Sequence, residues 1–301
     1  LIFAILQQKG LPVLYVDARE IIKTNSAFSH SEVDFTETNA LINSFFETNK
    51  GKIGLVTGFI ASNSKGETTT LGRGGSDYTA SVLGAALGVK EIEIWTDVDG
   101  MMTSDPRKVK SAFTIPSISY AEAMELTHFG AKVIYPPSLQ PAFAKNIPIR
   151  VLNTFNPSFE GTVVSKEPTG SPYIITGITS IDQLALVNLQ GSGMIGVAGV
   201  SAKLFTVLAR EKISVVLISQ ASSEHSICFA IDPLVSEKVR KVLEKEFATE
   251  MAAGDIEGID IQKDLSVIAV VGEGMRKHTG VSGKLFSSLG KNGINKIGRA
   301  H

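Results

Sequence analysis

An arginine surrounded by three glycines lies in the segment TTLGRGGSDYTA, which spans residues 69–80. The Arg73 guanidinium can hold a carboxylate through two parallel hydrogen bonds, and the glycines let backbone N–H groups approach a ligand closely. Ser76 or Asp77 is expected to cap the apolar helix that follows, and anions bind favourably at a helix N-terminus. The spacing therefore predicts an anion-binding site, and a glycine-rich turn with a structural arginine is the alternative.

Two further segments carry charged side chains where a ligand could bind. In WTDVDGMMTSDPRKV, Thr96 and Asp97 come at the carboxyl end of a predicted strand, where open α/β sheets bind ligands, and Arg107 follows two predicted turns. In FGAKVIYPPS, Lys132 follows a glycine that ends a predicted helix. Either cation could contact a phosphate, and a loop with solvated charges is the alternative for both segments.

The segment GSGMIG, residues 191–196, matches the Gly-x-Gly-x-x-Gly pattern of dinucleotide-binding sites and follows a predicted strand. A second copy of this segment, at residue 272, reads GEGMRK and lacks the third glycine. No acidic residue sits at a strand end about 20 positions later to contact a ribose. The helix is also predicted to start near Gly199, too late for a pyrophosphate turn. A nicotinamide-dependent enzyme is therefore the weaker interpretation.

Alternating strands and helices are predicted up to about residue 166. The strand candidates are LPVLYVDA, KIGLVTGFIA, KEIEIWTDV and IPIRVLNT. The helix candidates include TNALINSFFETN, DYTASVLGAALG and SYAEAMELTHFGA, in which Ser119 and Glu122 form a capping box. Short Val- and Ile-rich runs separated by helices predict a mainly parallel sheet covered by helices. Turn residues gather in KEPTGSP, residues 166–172, which is the predicted domain boundary.

An internal repeat follows this boundary. The segment GSGMIGVAGVSAKLFTVLAREKI at Gly191 aligns, 81 positions later, with GEGMRKHTGVSGKLFSSLGKNGI at Gly272. Both copies follow a β-rich run, and the first continues through two predicted strands to the helix SEKVRKVLEKEF. Such agreement predicts duplicated supersecondary structure. The order strand, helix, strand, strand, helix is typical of a ferredoxin-like unit.

Composition limits the classes of protein and partner. The 301 residues suffice for two domains, and 43% hydrophobic with 20% charged residues is ordinary for a globular protein. A net charge of −1 gives no reason to expect a nucleic acid or a membrane as partner. The single cysteine, Cys228, excludes a disulfide framework within the chain, and the five histidines have no metal-ligand spacing, so no protein metal site is predicted. A reducing compartment, the cytoplasm, is expected.

Three stretches need a separate interpretation. The uncharged run at residues 183–202 contains four glycines and the polar residues Asn188, Gln190 and Ser192, so it predicts strand, turn and helix start rather than a membrane span. The first residues, LIFAILQQKG, read as the end of an apolar helix stopped by Gly10. The last six, KIGRAH, break the repeat pattern. We expect a chain shortened at both ends, whose last six residues carry no functional information.

Three segments closely resemble the aspartate kinases of the amino-acid kinase family, namely VTGFIASNSKGETTTLGRGGSDYTA, IWTDVDGMMTSDPR and SYAEAMELTHFGAKVIYP. Three later segments resemble the paired ACT regulatory domains of these kinases, namely NLQGSGMIGVAGVSAKLF, ISQASSEHSI and VVGEGMRKHTGVSGKLF. The whole most resembles the kinase half of bifunctional aspartokinase/homoserine dehydrogenases. The resemblance implies an α/β fold, a three-layer sandwich with a mainly parallel sheet, followed by ferredoxin-like ACT units. It implies a kinase domain over residues 1–168, a first ACT domain over 173–262 and an incomplete second one over 263–301.

The resemblance also implies roles for single residues. Aspartate would be bound by Arg73, Gly74, Gly75, Ser76 and Asp77, with Arg73 on a carboxylate and Asp77 orienting the amino group or the reacting phosphate. Arg73, Asp77 and Lys132 would be the catalytic residues. ATP would contact Thr96, Asp97, Met102, Arg107, Lys132 and Val133. Met102 stands where many relatives have a tyrosine, so that its thioether would replace ring stacking. The family's N-terminal strand, with a lysine and glycines, and its early acidic residue are not found in this chain.

These roles imply transfer of the γ-phosphoryl group of ATP to the β-carboxylate of L-aspartate, the first step toward lysine, threonine and methionine. The reaction joins two anions, so arginine, lysine and Mg²⁺ must offset charge, and no covalent nucleophile is needed. Threonine or lysine would bind the ACT units as feedback effector, with Met194 and Gln220 as contacts, and a homo-oligomer is expected through these units. A non-catalytic amino-acid sensor built on the ACT units is the alternative.

Overall fold

The computed structural model of the chain describes residues 1–130, 133–168, 173–194, 197, 199–220 and 225–295. These residues form two compact units. The first unit comprises Leu1–Thr179 and Ala269–Met275. The second comprises Ser180–Ile268 and the described residues from Arg276 onward. A short segment of the second repeat copy thus belongs to the first unit.

The first unit alternates strands and helices, as its hydrophobic pattern predicts. Its helices are α1 (Ile2–Gln8), α2 (Ala18–Ile21), α3 (Phe35–Thr48), α4 (Gly75–Leu87), α5 (Tyr120–His128) and α6 (Pro136–Lys145). Its strands are β1 (Val13–Val16), β2 (Lys23–Thr24), β3 (Ile53–Val56), β4 (Ile60–Asn63), β5 (Thr68–Thr70), β6 (Ile92–Thr96), β7 (Ser117–Ser119), β8 (Ile149–Asn153) and β9 (Thr162–Ser165).

Parallel pairing dominates the sheets of the first unit. Parallel pairs are β1–β3, β2–β4, β6–β8 and β7–β9, whereas β4–β5 and β8–β9 are antiparallel. In the four-stranded sheet β6-β8-β9-β7, Ile94, Val151 and Val164 belong to one buried cluster with Leu126 of α5 and Leu139 of α6. The predicted α/β fold with mainly parallel pairing is confirmed.

One predicted strand is two strands in the structure. The segment KIGLVTGFIA is predicted as a single strand, but β3 ends at Val56 and β4 begins at Ile60. Phe59 lies between them with a φ of 75°, in the left-handed region that a β-strand does not allow. Since β3 pairs with β1 and β4 pairs with β2 and β5, the break moves the chain from one sheet to another.

The second unit confirms the repeat. β10 (Gly177–Gln190) and β13 (Gly258–Val271) begin and end 81 residues apart, as do α7 (Val200–Arg210) and α10 (Val281–Lys291). Between the copies lie β11 (Leu217–Gln220), β12 (Ser226–Ile231), α8 (Ser236–Glu246) and α9 (Ala248–Ala253). The sheet order is β11-β12-β10-β13, and Leu204 of α7, Phe229 of β12 and Leu243 of α8 share one buried cluster. This arrangement is the expected ferredoxin-like unit.

The Gly-x-Gly turns of the two copies pack against main chain. A Cβ at Gly191 would lie 2.1 Å from the carbonyl oxygen of Asp255, and a Cβ at Gly272 would lie 2.3 Å from that of Ile174. These two partners are themselves 81 residues apart, so both turns need glycine for the same reason. In the first copy α7 begins only at Val200. Within the described residues, Gly191 and Gly193 thus do not lie at the N-terminus of this helix, where a pyrophosphate would bind, which agrees with dinucleotide binding as the weaker interpretation.

Membrane helices, metal clusters and the cysteine concern other classes of function. Among the described residues, no helix combines the length and the apolar character that crossing a membrane requires. The same residues contain no group of three or more His, Cys, Asp or Glu side chains that could hold a metal ion. Cys228 is a free, half-buried thiol, and burial raises its pKa.

Candidate functional site

The loop that carries Arg73 leads into helix α4. The helix begins at Gly75, and Gly74 precedes it with a φ of 69°. Ser76 and Asp77 therefore lie inside the first turn, and the prediction that one of them caps the helix is wrong, because no side chain accepts a hydrogen bond at this cap. Among the described residues, nothing accepts from the N–H groups of these two residues. Both donors are left for a ligand.

Gly74 lies close to the segment that precedes helix α6. A Cβ at Gly74 would lie 2.5 Å from the Cβ of Tyr135. The Gly74 carbonyl accepts a hydrogen bond from the Ser138 hydroxyl over 3.3 Å. Tyr135 belongs to the same segment as Val133, a predicted ATP contact. The structure therefore brings the predicted aspartate loop and part of the predicted nucleotide segment together.

Arg73 and Asp77 differ in their surroundings. The Arg73 side chain is exposed, and within the described part of the chain it makes no hydrogen bond or ion pair. Asp77 is half-buried, and desolvation raises the pKa of its carboxyl group. A group of this kind is easier to protonate than a solvated aspartate. Near the start of α4, the described residues thus include an arginine that pairs with none of the others and a half-buried carboxyl group whose pKa is raised.

Gly58 and Phe59, to which the sequence assigns no role, pack against another side of this loop. A Cβ at Gly58 would lie 3.2 Å from the Oγ of Ser76, so Gly58 packs directly on the first turn of α4. The Phe59 ring leaves no room for a side chain at Gly75, where a Cβ would lie 2.8 Å from Cδ2 of the ring. The Phe59 side chain is 42% exposed. In the sequence, only the position of Gly58 late in a predicted strand indicates this packing, because side-chain type does not reveal the φ of Phe59.

Thr96 and Asp97 lie where the strand pattern predicts, at the carboxyl end of β6. The Thr96 hydroxyl donates to the Asp97 carboxylate over 3.1 Å, and Asp97 is exposed. The neighbouring parallel strand β8 ends at Asn153, whose side-chain amide donates to the Asp99 carboxylate over 2.8 Å. The carboxyl ends of two parallel strands thus carry adjacent polar groups, at the edge where open α/β sheets bind ligands.

The loop after β6 holds Met102 and Arg107 in different ways. Met102 is half-buried and forms an isolated antiparallel bridge with Thr114. Arg107 is exposed, and its guanidinium donates to both carboxylate oxygens of Asp105, from Nε over 3.0 Å and from Nη2 over 2.8 Å. These side-chain hydrogen bonds lower the pKa of Asp105 to about 2. A phosphate bound by Arg107 would share the guanidinium with Asp105, which occupies Nε and Nη2, or would replace it.

The other predicted site residues lie outside the arginine loop. Lys132 is not among the described residues. Val133 is half-buried and packs against the core of the first unit. Met194 is 4% exposed and belongs to the core of the second unit, so its side chain packs rather than faces solvent. Gln220 ends β11, where its backbone pairs with Ile227, and its side chain is not described.

A short segment within the first unit touches both predicted nucleotide segments. We call residues 174–179, which lead into and begin β10, the connector. The N–H of Ile178 donates to the Thr103 carbonyl over 2.8 Å, in the loop after β6. The Thr179 hydroxyl donates to the Phe129 carbonyl over 2.9 Å, three residues before Lys132. The connector therefore fixes the backbone of two segments that the sequence assigns to ATP.

The carboxylate of Glu122 joins the connector to helix α5. This side chain is buried, and its Oε1 accepts from the Thr176 hydroxyl over 2.7 Å and from the Glu273 N–H over 2.9 Å. Its Oε2 accepts from the Ser119 N–H over 3.2 Å, which completes the predicted capping box. Burial raises the pKa of Glu122, but these hydrogen bonds outweigh burial and hold the pKa below its ordinary value.

Comparison with known proteins gives two family matches. The amino acid kinase family matches residues 1–153, and the ACT domain matches residues 187–247 and 268–297. A bifunctional aspartokinase/homoserine dehydrogenase of Haemophilus influenzae is 40% identical over 291 residues, which cover 97% of this chain and 36% of the relative. The chain spans about a third of the length of the first curated relatives that it matches.

Solved structures of aspartokinases are also similar to this chain. Escherichia coli aspartokinase III in complex with aspartate and ADP superimposes with a TM-score of 0.79 at 32% identity, over 95% of this chain and 64% of that one. The same enzyme in complex with lysine and aspartate superimposes with a TM-score of 0.75 at 33% identity, over 98% of this chain and 65% of that one. The likeness extends over both units, since it covers nearly all of the chain.

Proposed function

Because this chain belongs to the amino acid kinase family, we propose that it is an aspartate kinase, which transfers the γ-phosphoryl group of ATP to the β-carboxylate of L-aspartate. The names of the similar proteins support this assignment. Residues 1–168 would form the catalytic part, and residues 173–262 and 263–301 would form the two ACT parts. The reaction class then follows from the site rather than from the fold alone.

One observation carries the proposal: Arg73 is exposed, lies in a glycine loop at the start of a helix, and pairs with no other residue that the structure describes. The Arg73 guanidinium is free to take a substrate carboxylate through two hydrogen bonds. The unpaired N–H groups of Ser76 and Asp77 can bind further oxygens beside it. Since two anions must approach each other in this reaction, fixed donors and positive charge lower its barrier without a covalent intermediate.

The nucleotide is assigned to the polar edge at the ends of β6 and β8. There Thr96 and Asp97 would contact ATP together with Met102, Val133, Arg107 and Lys132. Mg²⁺ bound with ATP would neutralise phosphate charge, and it is usually held by phosphates, water and one or two carboxylates. The exposed carboxylate of Asp97 at this edge fits such a role, and no three-ligand cluster among the described residues is needed.

The regulatory part of the proposal concerns the two repeat copies. Since a similar enzyme has been solved with lysine bound, we assign lysine or threonine as the feedback effector, with Met194 and Gln220 near it. The effector would act by binding one state of the enzyme more tightly than the other. Assembly into a homo-oligomer through the ACT parts and a cytoplasmic location belong to the same proposal.

The test is formation of aspartyl phosphate by the purified protein, followed as ADP release that requires both ATP and L-aspartate. Arg73→Ala should lower kcat/KM for aspartate by about a hundredfold, as expected for loss of a charge-assisted bidentate contact. Arg210→Ala is the matched control, because Arg210 forms an exposed ion pair with Glu246 in the second unit, with 2.9 Å between Nη2 and Oε2. This control should keep the rate of the parent protein.

Two outcomes would contradict different parts of the proposal. Unchanged aspartyl phosphate formation by Arg73→Ala would contradict the role of the arginine loop. Calorimetry that detects threonine or lysine binding, but no binding of Mg-ATP or aspartate, would contradict the kinase and favour the amino-acid sensor.

A further inference from the structure

Phe59 has an unfavourable backbone conformation next to the arginine loop. Its φ of 75° lies in the left-handed region, where a bulky side chain is a genuine outlier. Such strain persists only where the surrounding contacts enforce it, and it gathers at ligand-binding sites. The contacts around the Phe59 peptide therefore identify residues on which the local geometry depends.

Two hydrogen bonds hold the Phe59 peptide in this conformation, and one of them is made by the hydroxyl group of Thr79. Thr79 is 3% exposed, and its Oγ1 accepts from the N–H of Phe59 over 3.0 Å. The same hydroxyl donates its only hydrogen to the Gly75 carbonyl over 2.8 Å. On the other side of Phe59, its carbonyl accepts from the N–H of Leu71 over 2.9 Å. The strained residue is thus tied at both ends to the arginine loop and the first turn of α4.

The position of Phe59 in turn sets the space beside the loop. Two close approaches there are the Phe59 ring on Gly75, 2.8 Å from a Cβ added at Gly75, and Ser76 on Gly58, 3.2 Å from a Cβ added at Gly58. Thr79 itself is buried one turn further along α4. We propose that Thr79 is a positioning residue, whose hydroxyl holds Phe59 against the first turn of α4 and so fixes the width of the aspartate-binding loop. That this loop binds aspartate rests on the proposed function.

The first experiment does not depend on activity. In the parent chain, the half-exposed Phe59 should have a slowly exchanging amide, measured by hydrogen–deuterium exchange with residue-level fragmentation or NMR. Thr79→Val keeps the shape of the side chain but removes the hydroxyl, and it should speed exchange at Phe59 by about tenfold or more, because the amide loses its acceptor. Thr79→Ser keeps the hydroxyl and should exchange like the parent. An unprotected Phe59 amide in the parent would overturn the proposal without any variant.

The second experiment separates positioning from general stability. With both substrates varied, Thr79→Val should raise KM for aspartate by about tenfold and leave KM for ATP within about twofold, since only the loop beside Phe59 is released. Thr79→Ser should restore the parent KM. An equal rise in both KM values, or no rise in either, would contradict a positioning role. If the parent protein does not phosphorylate aspartate at all, the proposed function fails, while the exchange result still decides the role of Thr79.

Discussion

At the scale of the residue, the site depends on positions that have no side chain. Gly74 combines a φ of 69° with a Cβ position only 2.5 Å from the Cβ of Tyr135. Glycine avoids both the left-handed penalty and the overlap, so the loop can lie directly on the segment before α6. Arg73 is thereby carried on a backbone that is packed on one side and open on the other.

Gly74→Ala should therefore destabilise the protein more than an alanine at a left-handed glycine without neighbours. The matched control is Gly88→Ala at the other end of the same helix, where φ is 61° and no atom lies within 4 Å of the added Cβ. We expect a loss of about 1 kcal/mol in the free energy of unfolding for Gly88→Ala and about 2–4 kcal/mol for Gly74→Ala. Urea denaturation followed by circular dichroism measures both, and equal losses would show that Tyr135 gives way.

At the scale of the element, helix α5 is stabilised by an acid that serves two purposes. Glu122 completes the capping box with Ser119 and also accepts hydrogen bonds from Thr176 and Glu273. An ordinary capping box satisfies only donors of its own helix. Here one buried carboxylate connects the helix start to two segments far away in the chain, so the cap depends on the charge of this group.

Stability should consequently depend on pH through Glu122. Its pKa in the folded protein lies below the ordinary 4.5, so its contribution is present above that value and is lost as pH falls through the folded pKa. Glu122→Gln should lower the free energy of unfolding at neutral pH by about 1–3 kcal/mol and make it less dependent on pH below about 5. Urea denaturation at several pH values measures this. Glu125→Gln, on the exposed face of the same helix, should have the same free energy of unfolding as the parent at each of these pH values.

At the scale of the whole molecule, the two units have separate buried cores. The core of the first includes Val151 and Leu139, and that of the second includes Leu204, Phe229 and Leu243. A separate core lets each unit open with its own free energy. Local damage in one core is therefore expected to appear first in the exchange rates of that unit.

Leu243→Ala tests this separation, because Leu243 is completely buried in the second core. Truncation should cost about 2–5 kcal/mol and speed amide exchange in β12 and α7. Amides of β8, in the first unit, should keep the parent rates. Leu234→Ala is the control, since this leucine of the second unit is 90% exposed. Equal acceleration in β8 and β12 would mean that the units open together.

Features that depend on local pattern could be predicted from the sequence. The strands β1, β6 and β8, the capping box at Ser119 and the repeat of 81 residues all follow from periodicity or short motifs. The Arg73 loop and its position before a helix also followed from residue type and spacing.

Features that depend on distant contacts could not be predicted. The break at Phe59 depends on the hydroxyl of Thr79, 20 residues later. The cap at Gly74 depends on its packing against Tyr135. Residue types gave no signal of these arrangements, because each is decided by tertiary packing rather than by local preference.

The connector implies a limit on how the length of the chain can vary. Thr176, Ile178 and Thr179 each bond to a different part of the first unit, namely Glu122, Thr103 and Phe129. In an extended segment, a shift by one residue would turn every side chain to the opposite face and break all three attachments together. Natural variants of this protein should therefore not gain or lose a single amino acid within residues 174–179.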